Sequence, residues 1–424
     1  MASIQVVRAG RKRKRLSRSR QLSREEFESM GLNGRVQAIR SLVEIGLVHV
    51  YEELDREVMA LAGKRYARKG DRTEYRRHGS NPGSVRLAGQ RVGIEVPRVR
   101  GGEGEVRLSS YEAFQESGDL DEAMFRRVLY GISCRDYEAA AEVVPGAIGL
   151  SSSTVSRRFQ EVSNQRLKEL MDRDLSQLDV VALFVDGKTF AEDEMVLALG
   201  VTMQGQKVVL GICQTATENG RAIGQFFEEL KARGLSVSEG VLVVIDGSKG
   251  IRSAVTQAFK GYALVHRCQW HKRENVVSYL PRSEQAVWRR RLQRAYQRPT
   301  YAEARAELEK LLRELDRVNQ SAAASLREGL EETLTLHRLG VFAELGLSFK
   351  TTNCLESINS MAEQRCGKVR AWKNSSQKQR WLASALLDIE PRLRRVRGHR
   401  KLELLRAALK KELKLEGKKA QKAA

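Results

Sequence analysis

Two segments of this 424-residue sequence set an acid and a glycine directly after an apolar run: Phe184-Val185-Asp186-Gly187 and Val244-Ile245-Asp246-Gly247. Each places a carboxylate where a buried strand leaves the core, with a glycine to permit a tight exit. If the two strands are neighbours, the acids converge on one rim. Converging carboxylates repel unless a cation lies between them, and ligands that are all oxygen suit Mg²⁺ or Mn²⁺. Two such ions, about 3.5 to 4 Å apart, activate an attacking oxygen and stabilise the leaving oxygen of a phosphodiester. A third acid completes the set. Glu356, within Asn353-Cys354-Leu355-Glu356-Ser357-Ile358-Asn359, is the candidate, with Glu344 and Glu363 as alternatives. A lone strand-end Asp is more simply a turn residue; the pair favours metal binding.

A second group lies in His266-Arg267-Cys268-Gln269-Trp270-His271. Cys268 and His271 are two ligands, not the four of a structural zinc site. They read as support for the wall of the acid site, with plain burial of Cys268 as the rival. Trp270 and Trp288 are of the type that stacks on an unpaired base, but a core position is the preferred reading for Trp270. Arg267, Asn353 and Asn359 are candidate DNA contacts; capping of a helix is the alternative for Asn353.

The elements that must position these residues follow from periodicity. From Leu178 the pattern reads as strands: Val180–Val185, Met195–Met203 and Lys207–Thr215, the last two joined at Gln204-Gly205-Gln206. A helix over about 220–233 carries Ile223, Phe226, Phe227 and Leu230 on one face. The unbroken apolar run Val241–Ile245 predicts a strand buried on both faces. A short helix from Lys249 and a fifth strand over Tyr262–His266 complete a ribonuclease-H-like order, a mixed sheet with one antiparallel and one parallel side. Residues 281–345 are helical, with Leu308, Leu311, Leu312 and Leu315 at helical spacing. A helix starting near Thr351-Thr352-Asn353 carries Leu355, Ile358 and Met361.

Upstream, Ser23–Lys69 is helical, and Val85–Leu87 with Val92–Val96 predicts a small hairpin around Gly89-Gln90, followed by a turn or linker over Arg98–Gly102. Residues 119–175 predict three helices. The second, about Arg135–Val144, stops before Pro145-Gly146, and the third opens in Ser151-Ser152-Ser153. This fits a helix-turn-helix whose recognition helix presents Ser153, Thr154, Ser156, Arg157 and Arg158 to a major groove. A plain three-helix packing unit fits as well.

Charge points to a polyanionic partner. Lys and Arg number 75 against 53 Asp and Glu, a net charge of +22; residues 1–20 hold +8 and residues 391–424 hold +10. Basic ends attract nucleic acid without reading its sequence. Five scattered cysteines without a CxxC pair argue against a disulfide scaffold and for a reducing compartment. No apolar run reaches the roughly 20 residues of a membrane span, so no membrane partner is expected.

The ordered set of Asp186, Asp246 and Glu356, a helical stretch between the second and third, the Cys268-x-x-His271 box and the segment GQRVGIEVPRVR at Gly89–Arg100 resemble the bacterial Mutator-type insertion-sequence transposases over about residues 70–385. The resemblance implies a multidomain α/β DNA transposase of the DDE type, acting on double-stranded DNA at element ends and target in the bacterial cytoplasm. It also implies two Mg²⁺ or Mn²⁺ ions and a homodimer or higher oligomer on DNA. The expected parts are a basic arm (1–22), a helical and small β region (23–110), a helix-turn-helix domain (111–177), a catalytic domain (178–281 and 346–390), a helical insertion (282–345) and a basic helical tail (391–424). A non-catalytic DNA-binding descendant and a nuclease of the same fold are the competing expectations.

Overall fold

The computed structural model describes residues 4–6, 14–16, 32–65, 74–87, 90–115, 118–135, 137, 151–215, 220–369 and 371–415. The chain divides into two units, Met1–Val162 and Ser163–Ala424.

In the first unit, β1 (Ile4–Val6) and β2 (Lys14–Leu16) pair antiparallel inside the stretch expected as a basic arm. Helix α1 (Leu32–Ala62) lays Leu47, Val50, Leu54 and Val58 on an antiparallel sheet of β3 (Arg76–Leu87), β4 (Gln90–Gly101) and β5 (Gly104–Val106). The strands outrun the predicted hairpin. Arg98–Gly101 continue β4, because Val99 is fully buried and Arg98 pairs with Glu105 of β5 at 2.6 Å. Glu57 of α1 accepts the backbone N–H groups of Ser109 and Ser110 at 2.8 and 2.9 Å, which starts α2 (Ser109–Ala113). Helix α3 (Gly118–Leu129) meets α4 (Ser152–Asp172) through stacked Phe125 and Phe159, centroids 5.1 Å apart. The predicted middle helix falls for its greater part outside the described residues.

The second unit holds a five-stranded sheet of β6 (Val180–Phe190), β7 (Asp193–Thr202), β8 (Lys207–Thr215), β9 (Val241–Ile245) and β10 (Ala263–Arg267), in the spatial order β10-β9-β6-β7-β8. Strands β6 to β8 form an antiparallel meander; β9 is parallel to β6 and β10 to β9. The crossover helices α5 (Gly220–Ala232) and α6 (Lys249–Phe259) cover one face. Alternate residues of β9 serve the two faces: Val241, Val243 and Ile245 one, Leu242 and Val244 the other. That is why the strand carries no polar residue.

After β10, helices α7 (Gln269–Val277), α8 (Arg282–Tyr296), α9 (Tyr301–Val318), α10 (Gln320–Arg327) and α11 (Leu330–Thr333) build a separate core from Val276 to Leu334. This core overlaps the stretch expected as a helical insertion, 282–345, and is displaced toward its N-terminal side. From Leu336 the chain is back on the sheet with α12 (Thr335–Arg338), α13 (Phe342–Phe349), α14 (Asn353–Cys366), α15 (Ser375–Ile389) and α16 (Leu402–Glu412).

Helix α16, within the stretch expected as a basic tail, is part of this core. Leu402, Leu405 and Leu409 are fully buried in the cluster that holds Val181 and Val244. The basic composition masks an apolar stripe along α16, whose charged residues lie outside that stripe. Leu405→Ala is expected to cost about 2 to 5 kcal/mol of stability, measured by denaturant unfolding. Lys411→Gln on the exposed face should stay within about 0.5 kcal/mol.

Candidate active site

The parallel pairing of β6 with β9 ends at Val185 opposite Ile245, so Asp186 and Asp246 are the next residues on adjacent strands. Neighbouring strands lie about 4.8 Å apart, so the register sets the two acids side by side, close enough for the charge of Asp246 to act on Asp186. The strands do not end alike, however. Strand β9 stops at Ile245, whereas β6 runs on to Phe190 against β7, with Asp186 opposite Leu197. Asp186 is thus a mid-strand residue at the point where the sheet loses β9. Gly187 makes no tight exit; its missing Cβ leaves room for Glu194, whose carboxylate oxygen would lie 2.7 Å away.

Asp246 does sit in a tight exit. Gly247 takes φ +121°, and a Cβ there would lie 2.3 Å from Arg267 Nε. The Ser248 N–H donates to Asp246 Oδ1 at 2.9 Å, while Ser248 Oγ accepts from Ile251 N at 3.2 Å and caps α6. One carboxylate oxygen therefore orients the turn that presents the group.

Glu356 lies in the first turn of α14, with its side chain 43% exposed. His271 Nε2 is 3.8 Å from Glu356 Oε1. The other ring nitrogen, Nδ1, lies 3.3 Å from the Thr352 hydroxyl, which donates to Cys268 Sγ at 3.7 Å. Thr352 is the N-cap residue of α14, yet its hydroxyl makes no cap bond. It links Cys268 and His271 to the helix that carries Glu356. Backbone bonds fix the same junction: Cys268 N to Ile245 O at 2.7 Å and Gln269 N to Lys350 O at 2.9 Å.

Charge follows from this crowding. Burial first, and then the charge of Asp246, push the Asp186 carboxyl up to about 7, with Glu356 and Glu194 adding to the rise and His271 opposing it. Burial pushes His271 down, but the hydrogen bond and charge of Cys268, followed by the two aspartates, lift it to about 9. Cys268 is held below the usual thiol range by His271 despite its burial. The Cys268 sulfur, the His271 ring and the carboxylates thus form one electrostatically coupled group. Among the described residues, no three His, Cys, Asp or Glu side chains stand close enough to enclose an ion as they are oriented.

Glu194 and Thr352 are the contributors that the sequence reading missed. Glu194 carries no motif of its own; it pairs opposite Thr189, accepts its hydroxyl at 3.3 Å, and acts on Asp186 only through its charge. Thr352 was read only as a helix start. Of the alternative third acids, Glu363 is two turns further along α14, paired with Lys188 at 3.1 Å, and Glu344 is in α13.

Several candidate DNA contacts are not surface groups. The Arg267 side chain is 7% exposed and lies between Gly247 and Gly329, donating to Glu328 O at 3.3 Å. It is buried because the insertion covers the last residue of β10. Arg158 is 8% exposed, since it shares the inward face of α4 with Val155 and Phe159. Ser153 and Arg157 are exposed, and Thr154 and Ser156 half-buried. Asn353 is exposed at the first position of α14, and Asn359 is half-buried. Trp270, preferred as a core residue, is 40% exposed and stands edge-on to His271, centroids 4.8 Å apart. Trp288 is in the insertion core.

The family model described as "Transposase, Mutator family" matches residues 18–393. The chain is 26% identical over 337 residues to the transposase for insertion sequence element IS256 in transposon Tn4001 of Staphylococcus aureus, covering 76% of this chain and 84% of that protein. It is 25% identical over 344 residues to the transposase for element IS905 of Lactococcus lactis, 79% and 85% of the two chains. It is 25% identical over 380 residues to the transposase for element IS406 of Burkholderia multivorans, 85% and 91%. No described helix is long and apolar enough to cross a membrane.

In a chelator-treated sample, the raised carboxyl of Asp186 sets a stability slope. Its folded value near 7 lies above its ordinary value of 3.8, so the folded state binds more protons between them. Stability is then lost as pH rises from about 4 to about 7. Asp186→Asn should raise the melting temperature at pH 8, with the gain shrinking toward pH 4. Equal gains at both pH values would contradict the shift.

Proposed function

Because the chain belongs to the Mutator family of transposases, we propose that its second unit is a ribonuclease-H-like domain in which Asp186, Asp246 and Glu356 hold two Mg²⁺ or Mn²⁺ ions for DNA strand cleavage and strand transfer. The chain is a transposase, the activity that its relatives' names state. The strand order β10-β9-β6-β7-β8, with only the β6–β7–β8 side antiparallel, supports the fold reading.

The observation that carries the chemistry is the register of β6 and β9, which sets the buried Asp186 next to Asp246 on the side that Glu356 also reaches by charge. A buried acid beside Asp246 and Glu356 is held where a divalent cation relieves repulsion that a proton otherwise relieves. The donors are all carboxylate oxygens, which fits hard ions. When bound, the ions activate the attacking oxygen and stabilise the leaving one. Asp186 is fixed by the sheet and Asp246 by its turn, so both present rigid oxygens. Glu356 is the adjustable member: completing the set needs its exposed side chain to turn from His271 toward Asp186. His271 and Cys268 support the site, since the imidazolium supplies positive charge beside the acids while Thr352 ties it to α14. Water attacks first and the freed 3′-hydroxyl second.

Double-stranded DNA, at the element ends and at the target, is the partner. Ser153, Thr154, Ser156 and Arg157, at the start of α4, are the side chains proposed to read the ends within a helix-turn-helix. A homodimer or larger assembly on DNA is the proposed working state.

Asp186→Asn and Asp246→Asn are each expected to abolish cleavage of a labelled end duplex while leaving its gel shift nearly intact. An amide keeps the shape and loses the charge that holds the ion. Glu356→Gln should do the same. Mn²⁺ or Mg²⁺ should support cutting and Ca²⁺ should not. Robust cutting by Asp186→Asn removes the metal reading, and active Glu356→Gln alone moves the third acid to Glu363 or Glu344.

A further inference from the structure

A cavity of about 210 Å³ opens beside the acid site, between the far end of β6 and α14. Phe190, Met195, Leu382 and Trp372 line it, and Lys188, Asn359 and Glu363 edge it. It shares both its walls with the candidate site. Along β6, Asp186, Lys188 and Phe190 are alternate residues and point to one face of the sheet. Lys188 and Phe190 stand roughly 7 and 13 Å beyond Asp186 at ordinary strand rise. Along α14, Glu356, Asn359 and Glu363 form a single stripe at i, i+3 and i+7. The surface that runs from the carboxylates therefore leads into the cavity on both sides.

Its lining is aromatic and its edge is polar. Trp372 meets Phe190 at 5.3 Å and 61° and Trp381 at 6.3 Å and 87°. Neither is a flat stack, so neighbouring rings fix Trp372 edge-on. Lys188 and Glu363 pair across the edge at 3.1 Å, with Lys188 46% exposed. The volume equals roughly seven water molecules. That admits one flat heteroaromatic ring system and excludes a helix, which is about 10 Å across.

Resting on the reading of the chain as a DNA-cutting enzyme, we propose that this cavity takes a single nucleobase, unstacked from the DNA next to the scissile phosphate and held against Trp372. A strand whose phosphate lies at the carboxylates passes the cavity edge within about four nucleotide steps of 3.4 Å. Lys188 is positioned there for a flanking phosphate, and Asn359 offers donors and acceptors to a base edge. A base removed from its stack needs a new apolar partner for its faces, which an aromatic cavity supplies.

The test uses the full chain with end duplexes that each carry one 2-aminopurine near the cut, in Ca²⁺ so that the DNA stays whole. The emission of this base is quenched most when it is stacked between two neighbouring bases; in the cavity it meets one ring on one side only, so its emission rises when it leaves the helix. One position should brighten on binding to the wild-type protein, and its neighbours should not. Trp372→Leu should lose the brightening and slow cleavage about tenfold, the scale of one stacking contact, with end binding retained. Trp372→Phe should keep most of both. Val369→Trp, which fills the cavity from a half-buried edge position, should act like Trp372→Leu through a different residue. Brightening at no position, or brightening that survives both Trp372→Leu and Val369→Trp, overturns the base site. Metal-dependent cutting with flat emission leaves the transposase chemistry standing and removes this proposal alone. Absence of cutting by the wild-type protein in Mg²⁺ removes the chemistry and the base site with it.

Discussion

Burying a carboxylate beside other carboxylates opposes folding twice, through lost hydration and through repulsion. Asp186 is in this position, and much of the second unit can be read as the framework that holds it there. The group cannot retreat, because its backbone belongs to the central strand of the sheet, bonded to β7 and flanked on both faces by packed helices. Asp246 cannot retreat either, since its turn is closed by Ser248 and by the passage of Arg267 across Gly247. What remains adjustable is on the helix side, at Glu356 and the imidazolium of His271.

The helical insertion is coupled to this arrangement through buried cations. Lys272 is fully buried and donates to the carbonyl oxygens of Ser325 and Glu328, which satisfies the end of α10. Burial, then the neighbouring Arg267, push its ammonium down to about 8. Arg267 reaches the same Glu328 from beneath the Asp246 turn. Thr335 Oγ1 donates to Val265 O at 2.7 Å, and Gln269 Nε2 to Thr333 O at 2.9 Å. The insertion is thus pinned at both of its ends to the strand and turn next to the second acid. Displacing it would break the charged hydrogen bonds of Lys272 and Arg267, each worth about 1.5 to 3 kcal/mol.

The sequence made the two aspartates and the five strands legible because a strand buried on both faces must be apolar throughout, and its first polar residue marks where burial stops. Ile245-Asp246 obeys that rule. Val185-Asp186 departs from it: Asp186 is still buried within its own strand, and it marks instead the loss of one neighbouring strand. A pattern of side chains cannot separate those two cases. Arg267 and Arg158 were misread as surface groups because charge is visible in a sequence and the element that later covers it is not. Leu402, Leu405 and Leu409 were hidden in the same way, by the basic residues between them. Thr352 was legible as a helix start, but its hydroxyl serves Cys268 and His271 across 84 and 81 residues of chain, a partnership that only tertiary structure reveals.

Helix α16 closes the lower core against β6 and β9, and it is encoded after every residue of the candidate site. During synthesis, at about 5 to 20 residues per second, elements emerge from the N-terminal side first. The strands bearing Asp186 and Asp246, and then the helix bearing Glu356, all leave the ribosome while the apolar underside of the sheet still lacks its last cover. A shortened product that ended before Leu402 would contain all three acids without the packing that holds two of them rigid. The position of this helix in the chain thus makes the integrity of the late coding region a condition for the packed sheet that carries these acids.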